Sequence, residues 1–319
     1  MFTMPIVVSA QDSVDEVRQL AGHPAIERAF EIIEDLEPQT VSDLIELTQV
    51  AAPPFMEEKR AAVYAEWLAE AGADSVFIDD EGNVVAIRFG LGGERSQTTG
   101  GEARTVAISG HLDTVFPDDM DVTVIQRGDT LFAPGIGDDT RGLVSVLTVL
   151  RALEGAGIET QANVRLIGVV GEEGVGDLRG MKYLFREGGD PIHAWIDVDG
   201  TGLGSIVNKG LGSHRFRVTF RGPGGHSWGA FGLANPAHAL GRAIRYFQDV
   251  ADTLTRTGPR TSYNVGRLGG GTSVNSIPFE AQMEVDMRSE SEESLERIDA
   301  AFRAAMARAL TEENNLRRE

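Results

Sequence analysis

The sequence predicts an α/β fold: a mostly parallel sheet with helices on both faces, followed by a second, α+β domain. Three observations lead there. From Thr105 to Val198, short apolar runs alternate with stretches of helical periodicity. Such a β-α-β-α-β series implies parallel strands joined by helical crossovers. After about Gly212 the order changes to β-α-β-β-α, as in an antiparallel sheet carrying two helices on one face. The expected division is therefore residues 1–212 and residues 213–319.

The elements follow from local pattern. Residues 24–72 read as helices, because Ala25, Phe30, Ile32, Ile33 and Leu36 recur near helical spacing, as do Val63, Trp67 and Leu68. Ser75–Asp79 and Val84–Phe89 flank Asp80-Glu81-Gly82-Asn83 and read as a hairpin. Gly90–Ala103 is rich in Gly, Ser and Thr and reads as a surface loop. Strand Thr105–Ser109 leads into His111, and helix 139–156 follows. Strand Val164–Val170, helix Arg179–Glu187 and strand Ala194–Val198 complete the first series. In the second, strand His214–Phe220, helix Pro236–Leu254, strands Tyr263–Leu268 and Ala281–Met287, and helix Ser291–Glu313 are expected.

Composition narrows the function. The 319 residues carry 49 Asp+Glu against 29 Lys+Arg, a formal charge of −20. Nucleic-acid phosphates would be repelled by such a surface, whereas divalent cations would be attracted. With no cysteine, a thiol nucleophile, a disulfide framework and a Cys-ligated zinc are excluded, and the compartment stays open between exported and cytoplasmic. No apolar run approaches the roughly 18 residues of a membrane span. Met1–Ala10 is apolar and ends in Val-Ser-Ala, which resembles the remnant of a secretory signal or else a frayed terminus.

Short acidic and histidine motifs sit just past predicted strand ends, where open α/β sheets bind ligands. They are Ser109-Gly110-His111-Leu112-Asp113, Gly137-Asp138-Asp139-Thr140-Arg141-Gly142, Gly171-Glu172-Glu173-Gly174 and Asp197-Val198-Asp199-Gly200. One imidazole with several carboxylates suits a hard or borderline divalent metal. His111 and Asp113 should leave one face of an extended segment, so Asp113 could orient His111 or a group beside it. One of Asp138 and Asp139 could cap the following helix while the other binds metal. Adjacent Glu172 and Glu173 repel unless a metal or proton intervenes, so one as ligand and one as general base is a reasonable division. Either Asp197 or Asp199 could ligate.

Two motifs are decoys. Gly225-His226-Ser227-Trp228-Gly229 matches a serine nucleophile elbow on paper, but the next helix is expected only near Pro236. No acid lies between Ser227 and the later His238, so the usual triad order cannot be assembled. Gly200-Thr-Gly-Leu-Gly204 precedes a strand rather than the helix a dinucleotide loop requires.

Taken as a set, the motifs from about Thr105 to Arg288 resemble the two-zinc aminopeptidase, carboxypeptidase and aminoacylase family, and the Val198-Asp199-Gly200 ending looks most like its peptidase T branch. The resemblance implies that His111 and Asp199 hold one zinc, Asp138 bridges two, Glu173 holds the second and Glu172 is the general base. Asp113 would support these groups from behind, and the Asp138–Asp139 peptide would be cis. Ser213–Glu319 would be an inserted lid or dimerisation domain, implying a homodimer. There, His226 would stabilise the oxyanion, and Asn275 and Arg288 would bind substrate backbone or carboxylate.

Members of this family return to the catalytic domain after the lid, with a further His ligand for the second zinc. No His follows His238 here, so the resemblance implies a C-terminally shortened chain whose second Zn2+ site lacks a ligand. The implied function is zinc-dependent hydrolysis of small peptides, weak or absent in a chain of this length. The alternatives are an N-acyl-amino-acid amidohydrolase or carboxypeptidase, and a non-catalytic relative that dimerises.

Overall fold

A computed structural model of the chain describes residues 10–91, 104–200, 202 and 204–317. The apolar start of the chain and most of the Gly90–Ala103 segment lie outside the described residues. The chain divides into two compact units, Met1–Leu203 and Gly204–Glu319. Residues 204–319 hold 15 Lys and Arg against 13 Asp and Glu, so the acidic excess falls wholly on the first unit.

The first unit opens with helices α1 (Ala10–Ala21), α2 (Pro24–Asp35), α3 (Glu37–Thr48) and α4 (Glu58–Glu70). Strands β1 (Ser75–Ile78), β2 (Val84–Arg88) and β3 (Thr105–His111) follow. A small hairpin, β4 (Ile125–Arg127) and β5 (Thr130–Phe132), precedes α5 (Arg141–Gly155). The unit closes with β6 (Asn163–Val169), α6 (Arg179–Leu184) and β7 (Ala194–Asp197). Helix α6 ends three residues earlier than its periodicity predicts; chain reversal at Glu187-Gly188-Gly189 follows, with Gly188 at φ 77°.

The central sheet has the order β1-β2-β6-β3-β7. The pairs β3/β6 and β3/β7 are parallel, and β1/β2 and β2/β6 antiparallel, so β2 runs against the other four strands of this sheet. Apolar side chains alternate between the two faces. Val84, Ala86, Val164 and Leu166 pack with Leu47, Tyr64, Leu68, Leu143, Leu147 and Leu150 of α3, α4 and α5. Val85, Ala107, Ile167 and Val169 pack on the opposite face with Met181 and Leu184 of α6. Burial of each large apolar side chain is worth about 1.5–3 kcal/mol, and these two layers hold the sheet flat against its helices. Register then positions the chemistry. His111 lies opposite Val169, and Ser109 lies opposite Asp197, so three strands deliver their carboxyl ends to one place.

The second unit contains β8 (Gly212–Arg221), β9 (Gly225–His226), α7 (Pro236–Leu254), β10 (Thr261–Gly270), β11 (Ser276–Ile277), β12 (Glu280–Ser289) and α8 (Glu292–Leu316). Strands β10-β12-β8 form an antiparallel sheet, and β9 pairs with β11. Helix α7 starts where Asn235 accepts the Ala237 and His238 N–H groups, with Pro236 as its first residue. Ser291 caps α8 in the same manner. Between the sheet and both helices, Phe216 stacks on Phe302, which Phe247 meets edge to face.

Candidate metal centre

His111 ends β3 and is buried, at 4% exposure. Its Nδ1 lies 2.8 Å from the Asp113 carbonyl oxygen. A carbonyl only accepts, so Nδ1 donates there, and Nε2 is the nitrogen left to face a metal. Nε2 lies 2.9 Å from Asp138 Oδ1 and 3.8 Å from Asp199 Oδ1. Two sets of ligand atoms each fall within 4.8 Å of one another: His111, Asp138 and Asp199, and His111, Glu172 and Glu173. Asp138 and Asp199 are exposed and the two glutamates half-buried, as an accessible metal site requires. One imidazole nitrogen and several carboxylate oxygens form a donor set that zinc fits.

Each neighbour has a distinct task. Asp139 is fully buried, accepting the His111 N–H at 2.9 Å and the Gly142 N–H at 3.1 Å. It therefore ties the end of β3 to the start of α5, leaving Asp138 to face His111. The peptide between these two aspartates is cis. Asp113 is also fully buried, and its two oxygens accept the N–H groups of Glu172, at 2.9 Å, and Glu173, at 2.8 Å. The orienting acceptor for His111 is thus the Asp113 carbonyl; the carboxylate, 3.8 Å from Nδ1, serves the glutamate pair instead. Asp197 accepts from Ser109 Oγ, which in turn accepts from Trp195 Nε1 at 2.9 Å. Of the two candidate acids at and just beyond the end of β7, Asp199 is the one beside His111.

The charges influence one another strongly. Burial disfavours a charged His111 ring, yet Asp139, Asp113, Asp138 and Asp199 outweigh it, and its pKa is pushed up to about 9. Burial raises Asp139 to about 8 despite the opposing pull of His111. Burial also raises Glu172, with Glu173, Asp199 and Asp113 adding to the effect against His111. Glu173 is raised by burial and by Asp138.

One supporting group carries no motif. Arg60, fully buried, donates from Nε to the Val50 carbonyl at 2.8 Å and from Nη1 to the Leu112 carbonyl at 2.9 Å. It faces Asp113 electrostatically, although burial dominates and lowers its pKa to about 10. Nothing in the local sequence singles it out.

The remaining expected site residues lie in the second unit. His226 Nδ1 accepts the Trp228 and Gly229 N–H groups at 3.3 Å each, which places the ring proton on Nε2, as an oxyanion donor requires. The Asn275 carbonyl accepts the Ser227 N–H at 2.9 Å, so Asn275 and His226 are neighbours at the end of the β9/β11 pair, where Ser276 lies opposite His226. Arg288 lies near the other end of β12, on the order of 25 Å of strand beyond Glu280, and donates to Asp286 at 2.9 Å. Within this unit it is not brought to His226 or Asn275. After Ser227 the chain turns, and helix begins only at Pro236, so no nucleophile elbow forms.

Comparison with known proteins agrees with this architecture. Residues 209–314 match the peptidase dimerisation domain, and residues 93–211 match peptidase family M28. A LysW-lysine/LysW-ornithine hydrolase of Pyrococcus abyssi is 32% identical over 136 residues, 43% of this chain and 34% of that protein. The chain therefore spans about a third of that relative. Acetylornithine deacetylase of Myxococcus xanthus is 29% identical over 275 residues, 80% of this chain and 68% of the relative. Aminopeptidase PepT from Bacillus cereus shares the fold, with TM-score 0.62 and 22% identity over 87% of this chain and 73% of its own.

Proposed function

We propose that this protein is a zinc-dependent hydrolase that cleaves the amide bond of a small peptide. The observation that carries the reading is the orientation of His111: Nδ1 is locked on a carbonyl while Nε2 faces Asp138 and Asp199. His111 and Asp199 would hold one ion, Asp138 would reach both of two ions, and Glu173 would hold the second. Zinc bound there would polarise the scissile carbonyl and acidify water.

The chain's own groups supply the rest. Glu172 is kept in place through its backbone N–H by Asp113, and its raised pKa suits a base that later returns the proton to the leaving amine. Asp113 and Asp139 have their oxygens engaged by backbone N–H groups, so they shape the site rather than exchange protons in it. His226, protonated on Nε2, would donate to the developing oxyanion. Asn275 and Arg288 would bind substrate backbone or carboxylate, which for Arg288 calls for a second copy or a rearrangement. The dimerisation-domain match supports a homodimer formed through residues 213–319. No helix among the described residues is long and apolar enough to cross a membrane.

A second reading, hydrolysis of an N-acyl amino acid, is favoured by the broad match to acetylornithine deacetylase. One experiment tests both. Purified protein loaded with zinc is given a panel of dipeptides, tripeptides and N-acetyl amino acids, with and without chelator. Chelator-sensitive release of amine from peptides supports the first reading, and release from N-acetyl substrates alone the second. Hydrolysis indifferent to chelator would reject both.

A further inference from the structure

The segment that carries Glu172 and Glu173 is held by more than Asp113. Strand β6 ends at Val169, and beyond a strand end backbone N–H groups ordinarily turn to water. Here four in succession are taken by buried side chains. Val170 donates to Asn83 Oδ1 at 3.0 Å, Gly171 to Glu57 Oε1 at 3.1 Å, and Glu172 and Glu173 to the two oxygens of Asp113. Asn83 and Asp113 are fully buried, and Glu57 is 3% exposed.

Each acceptor is itself anchored. The Asn83 amide donates to Asp79 Oδ2 at 2.8 Å and to the Gly180 carbonyl at 3.2 Å. Glu57 receives Arg179 Nη2 at 2.7 Å, which offsets the cost of burying its charge. Arg179 Nη1 reaches the Glu81 carbonyl at 2.7 Å and its carboxylate at 3.0 Å, and the guanidinium lies 4.9 Å from the Phe55 ring centre. Gly171, at φ 64°, lets the chain turn against the Arg179 side chain. The loop between β6 and α6 is thus bolted to the start of α4 and to the β1–β2 turn.

We infer that Glu57, anchored by Arg179, and Asn83 are positioning residues that preset the Glu172–Glu173 backbone for metal binding. The inference rests on the metallohydrolase reading. It assigns a role to Glu57, which sits 115 positions before Glu172 and does not itself face the metal centre. Partners behind metal ligands commonly govern affinity by 10- to 100-fold.

The test is zinc titration of metal-free protein by calorimetry, with hydrogen exchange of residues 170–173 and thermal melts on the same samples. Glu57→Ala should bind zinc about 10–100-fold more weakly and lose exchange protection over 170–173. Glu57→Gln should stay within several-fold of wild type, because its amide oxygen still accepts the Gly171 N–H. If Glu57→Ala fails to fold, Arg179→Lys replaces it, and several-fold weaker binding with faster exchange is expected. Unchanged zinc affinity in the folded variant, whatever its melting temperature, would overturn the positioning role while leaving the hydrolase reading intact. Failure of wild type itself to bind zinc would overturn the hydrolase reading, and this inference with it.

Discussion

Gly142 and Asp139 are packed so closely that a methyl group on Gly142 would fall 2.2 Å from Asp139 Oδ1 and 2.4 Å from the Val198 carbonyl oxygen. Gly110 stands in the same relation to Asp139 Oδ2, at 2.7 Å. Glycine at both positions is therefore what allows a buried carboxylate to join β3 to α5. Gly142→Ala should lower stability by about 1–3 kcal/mol, the usual cost of overpacking. It should also weaken zinc binding by displacing Asp138. A urea unfolding midpoint and a zinc affinity both equal to wild type would show that the contact relaxes freely.

Glu172→Gln should retain zinc and lose amide hydrolysis by about 10²-fold or more, the typical worth of a general base. Metal content by mass spectrometry and turnover of a chosen substrate are measured side by side. If zinc is lost as well, Glu172 and Glu173 have exchanged roles.

His226→Ala should reduce turnover by roughly 10²–10³-fold, as for one lost oxyanion donor. Ser227→Ala should cost little, since no base follows it in triad order. A serine-directed fluorophosphonate distinguishes the two side chains further. Inactivation by that reagent, abolished in Ser227→Ala, would restore the serine-hydrolase alternative.

The second unit should carry an acid-sensitive clamp. The Glu313 side chain, 3% exposed, joins Arg242, Arg317 at 2.6 Å and the Asn235 N–H at 2.7 Å. Burial works against its charge, but Arg317, Asn235 and Arg242 outweigh that and hold its carboxyl below the ordinary 4.5. A carboxylate depressed in the folded state contributes stability above its unfolded pKa and loses it as pH falls through the folded value. Wild type should therefore weaken progressively below pH 4.5, and Glu313→Gln should weaken less over that interval. Glu313→Ala should lower stability at neutral pH by about 3 kcal/mol, leaving two arginines without their partner. Parallel pH profiles for wild type and Glu313→Gln would remove Glu313 from the acid response.

Much of this was legible in the chain because it was written locally. Helix α7 runs from Pro236 to Leu254 as its periodicity and Asn-Pro start predict. The residues that surround His111 could be named because each follows an apolar strand whose end had to open onto the same edge. Between Asp197 and Asp199 the sequence could not choose, since both leave one face; pairing with Ser109 decided it. Arg60, Glu57, Asn83 and Arg179 had no local signature. They matter through partners 52 to 122 positions away, and such contacts become visible only when the chain is folded. Strands β9 and β11, two residues each, are too short for any period to register.

The uneven division of charge between the two units has a further consequence. Like charges crowded on residues 1–203 repel one another, and that repulsion is relieved on unfolding. Added salt shortens its range, to about 8 Å near 0.15 M and about 3 Å at 1 M. The nearly balanced residues 204–319 have little such repulsion to relieve. Raising sodium chloride should thus firm the first unit selectively, so that two melting steps converge or change order, while sucrose at equal osmolality leaves their spacing as it was. The protein would then carry its own ionic-strength gauge in the unit that holds His111 and its surrounding carboxylates.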